Sequence, residues 1–397
     1  MHRETNGFGW SVAWAAFVLA VFAWGIGFYG PSVFLQTLHE MRGWEVSQIS
    51  AAITLHFLLS AGLIAILPGL HRRYGIAPTT FAGAVFTAIG LLGWSAAWQP
   101  WHLFLAAVPS AIGWATTSGA ALNALVARWF DRDRPKAMGL AFNGASVGGV
   151  LFVPLWITLI GSFGFRFAAA LVGAVTVIVV GLLSMRYFSQ APDVVDAQAK
   201  PRPVLSRMQI LKTPQFLTLS AAFSLGLFAQ IGLLAHLIVR LTPEVGVQAA
   251  SMLVSAATIS AVLGRMLTGW WIGDHDRRIA AALNFGIQMV GVLLLAFGSG
   301  WLLLSLGCLL FGLGIGNLTS LPPLIAQKEF NREDVITVVA LVVAINQAVF
   351  AFAPAVVGLL RDISTTYTLP FTIIVAIQAV ALVIILLGMT TKARSSS

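Results

Sequence analysis

Twelve apolar runs, each of about 20 residues or more, follow one another along this chain, and nothing else in it limits the possible folds so strongly. No water is available in hydrocarbon to complete an unpaired N–H or C=O. Runs of this length therefore predict helices that cross a bilayer and satisfy their own backbone. The runs are Trp10–Leu38, Ser47–Leu70, Thr79–Ala97, Trp101–Val126, Ala137–Ile160, Phe165–Tyr187, Pro214–Ile238, Ala249–Trp271, Ile279–Gly298, Trp301–Ala326, Val335–Leu360 and Leu369–Thr390. The first exceeds the roughly 7–15 apolar residues of a signal peptide and more spans follow it, so it is expected to remain in the mature protein. Only 9% of the residues are charged, against roughly 25% in soluble domains, which excludes a soluble enzyme. The formal net charge of +9 comes from residues scattered among short loops, and this argues against a nucleic-acid partner. Cys308, the single cysteine, lies inside an apolar run, where packing is its expected role and no intrachain disulfide can form.

The basic residues fall on one side. With the N-terminus inside, the cytoplasmic face holds Arg3, Arg72, Arg73, Arg128, Arg132, Lys136, Lys200, Arg202, Lys212, Arg277, Arg278, Lys328 and Arg332 among others. The outer face holds Arg42, Arg166, Arg240 and Arg361. Both termini are then cytoplasmic and the number of spans is even. The longest connection contains Pro192, Pro201 and Pro203 and divides the chain into a six-helix bundle over 1–190, a cytoplasmic linker over 191–213 and a second bundle over 214–397. A shift of 200 positions superposes Gly69 on Gly269, Trp101 on Trp301, Phe130 on Phe330, Arg132 on Arg332 and Pro154 on Pro354. The expected fold is all-α, with twelve transmembrane helices in two pseudo-symmetric bundles related as parallel repeats.

These features together resemble the major facilitator superfamily. The run Trp129-Phe130-Asp131-Arg132-Asp133-Arg134-Pro135-Lys136-Ala137-Met138-Gly139-Leu140-Ala141, continuing through Gly144 to Gly148, is similar to the fifth-helix signature of monocarboxylate transporters and oxalate:formate-type exchangers. The general loop motif of the superfamily is weaker here. Arg72 stands where its acid belongs in the first copy, while Gly269 and Asp274 give an approximate second copy.

Arg265 is out of place in such a chain. It lies within Ser260–Gly269, inside the eighth apolar run, whereas all fourteen Asp and Glu residues fall in loops or at helix ends. A central arginine costs at least about 3 kcal/mol on insertion scales, so it needs a reason. One reading makes its planar guanidinium the contact for an anionic substrate in a wet central cavity. The resemblance implies the same role, because an eighth-helix arginine meets the substrate carboxylate in that branch. Asp274 is about 13 Å further along a helix, too far for a local pair. The other reading has Arg265 snorkelling to the cytoplasmic interface.

Six further candidates are expected to touch substrate. His56 lies mid-span and is able to share a proton, or is neutral and bonded to a neighbouring helix. Tyr29, Gln230, Asn317, Asn346 and Gln347 lie in spans that line the cavity in the superfamily; interhelical polar packing suits each equally. Asn123 and Asn143 read as structural, and His236 as interfacial near the outer end of its span. Gly144, Gly148 and Gly149 before Pro154, and Gly312, Gly314 and Gly316 before Pro322 and Pro323, permit rocking of one half against the other, or simply close helix packing. Trp10, Trp44, Trp98 and Trp101 sit at span ends, where indoles favour headgroups.

The expected function is secondary active or facilitative transport of a small organic anion, a monocarboxylate, by alternating access, with no enzyme activity, cofactor or metal. In proton-coupled relatives an acid precedes the eighth-helix arginine and the first helix carries a lysine; Ala261 and Ser32 stand there. This leaves exchange against a counter-anion, uniport, or protonation through His56. The alternative is a major facilitator exporter of a hydrophobic compound or drug, which the Phe-rich spans suit. The expected setting is a bacterial inner (plasma) membrane, as a multi-pass monomer. No nucleotide-binding loop points to ATP-driven transport.

Overall fold

The computed structural model describes residues 7–130, 133–190, 205–272, 275–331 and 333–395. Arg3, Asp131, Arg132, Pro192, Lys200, Pro201, Arg202, Pro203, Asp274 and Arg332, named above, lie outside the described residues. Among the described residues, twelve helices are long and apolar enough to cross a membrane: Gly7–Arg42, Val46–Tyr74, Ile76–Ala96, His102–Ala127, Lys136–Phe163, Phe165–Phe188, Pro214–Val245, Val247–Ile272, Arg277–Phe297, Gly300–Glu329, Thr337–Ser364 and Thr368–Met389. They are spans 1 to 12, and the described residues contain no strand. The chain is thus a multi-pass, all-α membrane protein.

Contacts within the chain separate two compact units, Met1–Asp196 and Ala197–Ser397. In unit 1, span 1 packs on span 5, span 3 on spans 4 and 6, and span 2 on span 4. In unit 2 the same pairings recur six spans later, span 7 on 11, 9 on 10 and 12, and 8 on 10. The repeat seen at a constant sequence offset is therefore also a repeat of packing partners.

Small residues allow the tightest of these approaches. A methyl group at Gly148 would lie 3.0 Å from the Gly25 nitrogen, and one at Gly144 would meet the Phe17 carbonyl, so spans 1 and 5 touch backbone to backbone. In unit 2, Gly264 faces the Leu313 backbone and Gly312 the Ala257 backbone, joining spans 8 and 10 in the same way. Lipid tails are as apolar as leucine, so close van der Waals packing of this kind is a main attraction between spans.

Four spans are broken. Span 1 breaks at Phe28 and Tyr29, just before Pro31, and span 4 at Ser118. Span 10 breaks at Gly316 and span 11 at Ala351 and Phe352. Pro154 and Pro354 coincide in the repeat, yet span 5 continues through Pro154 while span 11 restarts at Ala353 with Pro354 in its first turn. That is the helix position a proline tolerates best, because its missing N–H has no helical partner there.

Residues 205–213, part of the stretch read from the sequence as linker, pack on unit 2. Ser206 and Gln209 form a capping box on a short helix, Arg207–Lys212, and the Leu205 N–H donates to the Asp334 carboxylate at 3.1 Å. Ile210 in that helix is fully buried in the core around Phe216, Phe223, Phe285, Leu318 and Leu321. Ile210, with Leu211 packed against the same core, is what docks it.

Candidate functional site

Span 8 turns the face bearing Gly264 toward span 10, and Arg265 follows on the same side. Arg265 is half-buried, and its guanidinium lies over Gly316, the break in span 10: a methyl group at 316 would sit 2.7 Å from Nε and 2.8 Å from Nη2. The side chain is thereby directed toward span 10.

A broken helix in a membrane leaves backbone groups that neighbours must satisfy. Asn284 of span 9 donates from Nδ2 to the Gly314 carbonyl at 3.4 Å, just before the break. Asn317, just after it and 3% exposed, donates to Asn284 Oδ1 at 2.9 Å and to Thr268 Oγ1 of span 8 at 2.8 Å. Spans 8, 9 and 10 are thus tied together beside the guanidinium. A second group of amides lies alongside. Gln288, fully buried, donates to Gln230 Oε1 of span 7 at 3.0 Å, and Gln378 of span 12 donates to Gln288 Oε1 at 3.4 Å. The side chain of Gln288 rests on Gly314, which links this row to the break.

The candidates named from the sequence are distributed unequally around this arrangement. Arg265 and Asn317 come together, and Gln230 joins them through Gln288 and Gly314. Asn346 accepts a hydrogen bond from Ser224 at 2.8 Å, which joins span 11 to span 7, and Gln347 is half-buried on the same span. Tyr29 and His56 belong to unit 1. Tyr29 is buried at the break in span 1, its N–H donating to the Trp24 carbonyl at 2.9 Å. His56 is 2% exposed and lines a partly open cavity of about 30 Å³ with Gly27, Pro31, Thr87, Ser110 and Thr117, its ring beside the Gly27 backbone.

His236 differs from the expectation. It is fully buried, with Nε2 donating to the Pro354 carbonyl at 2.9 Å and Nδ1 accepting from the Tyr367 hydroxyl at 3.1 Å. The physical reason is that span 7 runs on to Val245, so His236 stands inside the helix rather than near its end. Asn284, Thr268, Gln288 and Gln378 were not picked out from the sequence, and Gly316 was named there only among the glycines that permit rocking or close packing. The three amides carried a usable signal, since each is a polar side chain within an apolar run; Gly316 carried none beyond being a glycine.

Charge pairs among the described residues include Arg278 with Glu329 at 2.7 Å, Arg240 with Glu244 at 3.6 Å and Lys136 with Asp133 at 3.3 Å. Among the described residues no group of three or more His, Cys, Asp or Glu side chains is placed to hold a metal ion. Cys308 is buried in span 10.

Two six-span units that share four internal pairings, and a cation directed onto a helix break, define a polytopic membrane protein of transporter type. The chain belongs to the Major Facilitator Superfamily, whose profile matches residues 12–332. It is 26% identical to Monocarboxylate transporter 13 of Bos taurus over 93% of this chain and 86% of that protein. It is also 32% identical to the Fujikurins efflux protein of Gibberella fujikuroi, over 36% of this chain and 32% of that one. The crystal structure of the nucleoside transporter NupG shares the fold, with a TM-score of 0.74 at 14% identity, covering 95% of this chain and 99% of that one. The chain is a membrane transporter, similar to the monocarboxylate transporter branch, and not an enzyme.

Proposed function

We propose that this transporter moves a small organic monoanion, a monocarboxylate, by alternating access, and that Arg265 is the contact for its carboxylate. The observation that carries the proposal is the seating of the guanidinium on the glycine break of span 10. Gly316 gives the guanidinium room beside span 10, and the planar fork of an arginine matches a carboxylate with two parallel N–H donors. Asn317, Asn284 and Thr268 hold the break in place, which limits the reorganisation needed when the anion arrives. The likeness to Monocarboxylate transporter 13 over nearly the whole chain supports this substrate class. Gln230 and Asn346 act mainly as interhelical ties within unit 2. Transport proceeds as exchange, as uniport or with protonation through His56, since Ala261 replaces the acid on the turn before Arg265. The same proposal puts both termini in the cytoplasm of a cell whose inner (plasma) membrane holds the chain. It is supported by Arg72, Arg73, Arg128 and Lys136 at the end of unit 1 where span 1 begins.

A second reading, export of a hydrophobic compound, draws support from the similarity to the Fujikurins efflux protein. One assay separates the two. Proteoliposomes containing the wild-type chain or Arg265→Gln are given radiolabelled carboxylates, with and without an internal counter-anion and a pH gradient. The expected result is carboxylate uptake that the substitution removes while the melting temperature is kept. Undiminished carboxylate uptake by the variant rejects the site. Absence of carboxylate uptake together with transport of lipophilic compounds favours the exporter.

A further inference from the structure

Unit 1 keeps most of its basic residues at the end where span 1 begins, and Arg42 and Arg166 lie at the other. Arg42 is the last residue of span 1 and Arg166 belongs to the first turn of span 6, far apart in sequence. The fold brings them to one place. The end of span 1, the end of span 3 and the turn between spans 5 and 6 enclose a groove of about 520 Å³, lined by Met41, Arg42, Ser95, Trp98, Phe163 and Arg166. No carboxylate lines it. Glu40, the nearest acid in sequence to Arg42, is hydrogen-bonded to Gln36, and among the described residues neither arginine has an acid within ion-pair distance.

The rest of the lining identifies what such a pair of cations meets. Trp98 is 70% and Phe163 63% exposed at a span end, where aromatic rings favour the headgroup layer. Phe163 contacts Phe167, and exposed Leu171 on span 6 with Leu92 on span 3 continues the apolar surface away from the groove and into the membrane. Spans 3 and 6 pack side by side, so this surface is continuous. The groove is cationic where a phosphate would lie and apolar where acyl chains would run. We propose that it binds the phosphate headgroup of an anionic phospholipid, with Arg42 and Arg166 on the phosphate and the chains along spans 3 and 6. A soluble phosphate would leave the aromatic rim exposed, and a zwitterionic headgroup would bring a cation that finds no carboxylate in the lining.

The test measures lipid carried by the purified full chain in native mass spectrometry, offered phosphatidylglycerol and phosphatidylcholine in equal amounts. The wild-type chain is expected to prefer phosphatidylglycerol on the order of 10–30-fold, and Arg42→Gln with Arg166→Gln to lose nearly all of that preference. The double Lys variant, which keeps the charge, is expected to retain most of it. Raising the salt concentration is expected to weaken the wild-type preference, as it does for exposed charges, so the proposal is testable even if the Gln variant is not recovered. Millimolar glycerol phosphate is expected not to displace the lipid. Equal binding by the Gln variant and the wild-type chain overturns the proposal, as does an absence of preference in the wild-type chain. Displacement by glycerol phosphate also overturns it and assigns the groove to a soluble organic phosphate.

Discussion

Replacing Glu329 by Gln removes the charge that balances one of the most buried cations in unit 2. Arg278, 1% exposed, opens span 9, and its Nε and Nη2 donate to the two carboxylate oxygens of Glu329 at 2.7 and 2.8 Å, a parallel two-bond fork. The Glu329 side chain is only 6% exposed. The remaining donors reach the Gln215 carbonyl at 3.1 Å and the Ile385 carbonyl at 3.3 Å, so the guanidinium joins spans 7, 9, 10 and 12. It lies against Gly388, where a methyl group would overlap it. Breaking a buried pair from one side costs about 3–5 kcal/mol, because the partner keeps its desolvation penalty without its compensation. For a unit of this size that is a melting temperature lower by roughly 6–20 °C. The buried Cys308, the single thiol of the chain and also in unit 2, supplies the assay, since a fluorogenic maleimide reacts with it only as the unit opens. Glu329→Gln and Arg278→Met are each expected to lower the melting point by that amount. The double variant Arg278→Met with Glu329→Met is expected to recover much of the loss, since it leaves no unpaired charge. Single variants that melt within 2 °C of the wild-type chain, or a double variant that merely sums them, would refute the reasoning.

The spans were legible in the sequence because the bilayer allows backbone so few solutions, and the repeat because Trp101, Phe130 and Pro154 recur at one offset. The end of span 7 was less so. Arg240 and Glu244 look like loop residues, yet they pair along the helix, and Arg240 donates to the Leu295 and Gly298 carbonyls at 2.9 and 2.8 Å. The C-terminal carbonyls of span 9 thus hold a cation that sequence alone places in solvent. His236 was assigned to an interface for the same reason. Arg265 was legible as a charge in an apolar run, but its neighbour was not. A glycine announces no chemistry, and only the packing of span 8 on span 10 shows that the room at 316 is taken by a guanidinium. Gln288 and Gln378 lie in spans 9 and 12, outside the spans to which the family likeness points, yet burial of an amide in any span demands a partner.

Two further predictions concern unit 2. Burial pushes the Tyr367 phenol above its ordinary value, so below about pH 10 the folded and unfolded forms are both neutral there and stability is unaffected. Above that the unfolded chain ionises first and stability is lost as pH rises. Tyr367→Phe is expected to remove this part of the alkaline loss, while costing about 1 kcal/mol at neutral pH for the bond to His236, as read by circular dichroism melts. The second prediction is Gly316→Ala, which tests the seat of Arg265. The added methyl would lie 2.7 Å from Nε, 2.8 Å from Nη2 and 2.9 Å from the Ala261 carbonyl. Side-chain atoms can move away, but a backbone carbonyl cannot, so spans 8 and 10 separate slightly and the guanidinium is displaced. Overpacking of this kind costs about 1–3 kcal/mol, and at a helix break alanine returns none of it as helix propensity. A modestly lower melting point is therefore expected beside a KM for carboxylate raised about tenfold or more, since a displaced fork no longer meets the anion squarely. Gly314→Ala supplies the contrast, because its methyl would strike the Gln288 side chain and disturb the amide row. It should lower the melting point and leave KM near the wild-type value. If Gly316→Ala transports carboxylate with unchanged KM, the guanidinium does not act from the position in which it rests.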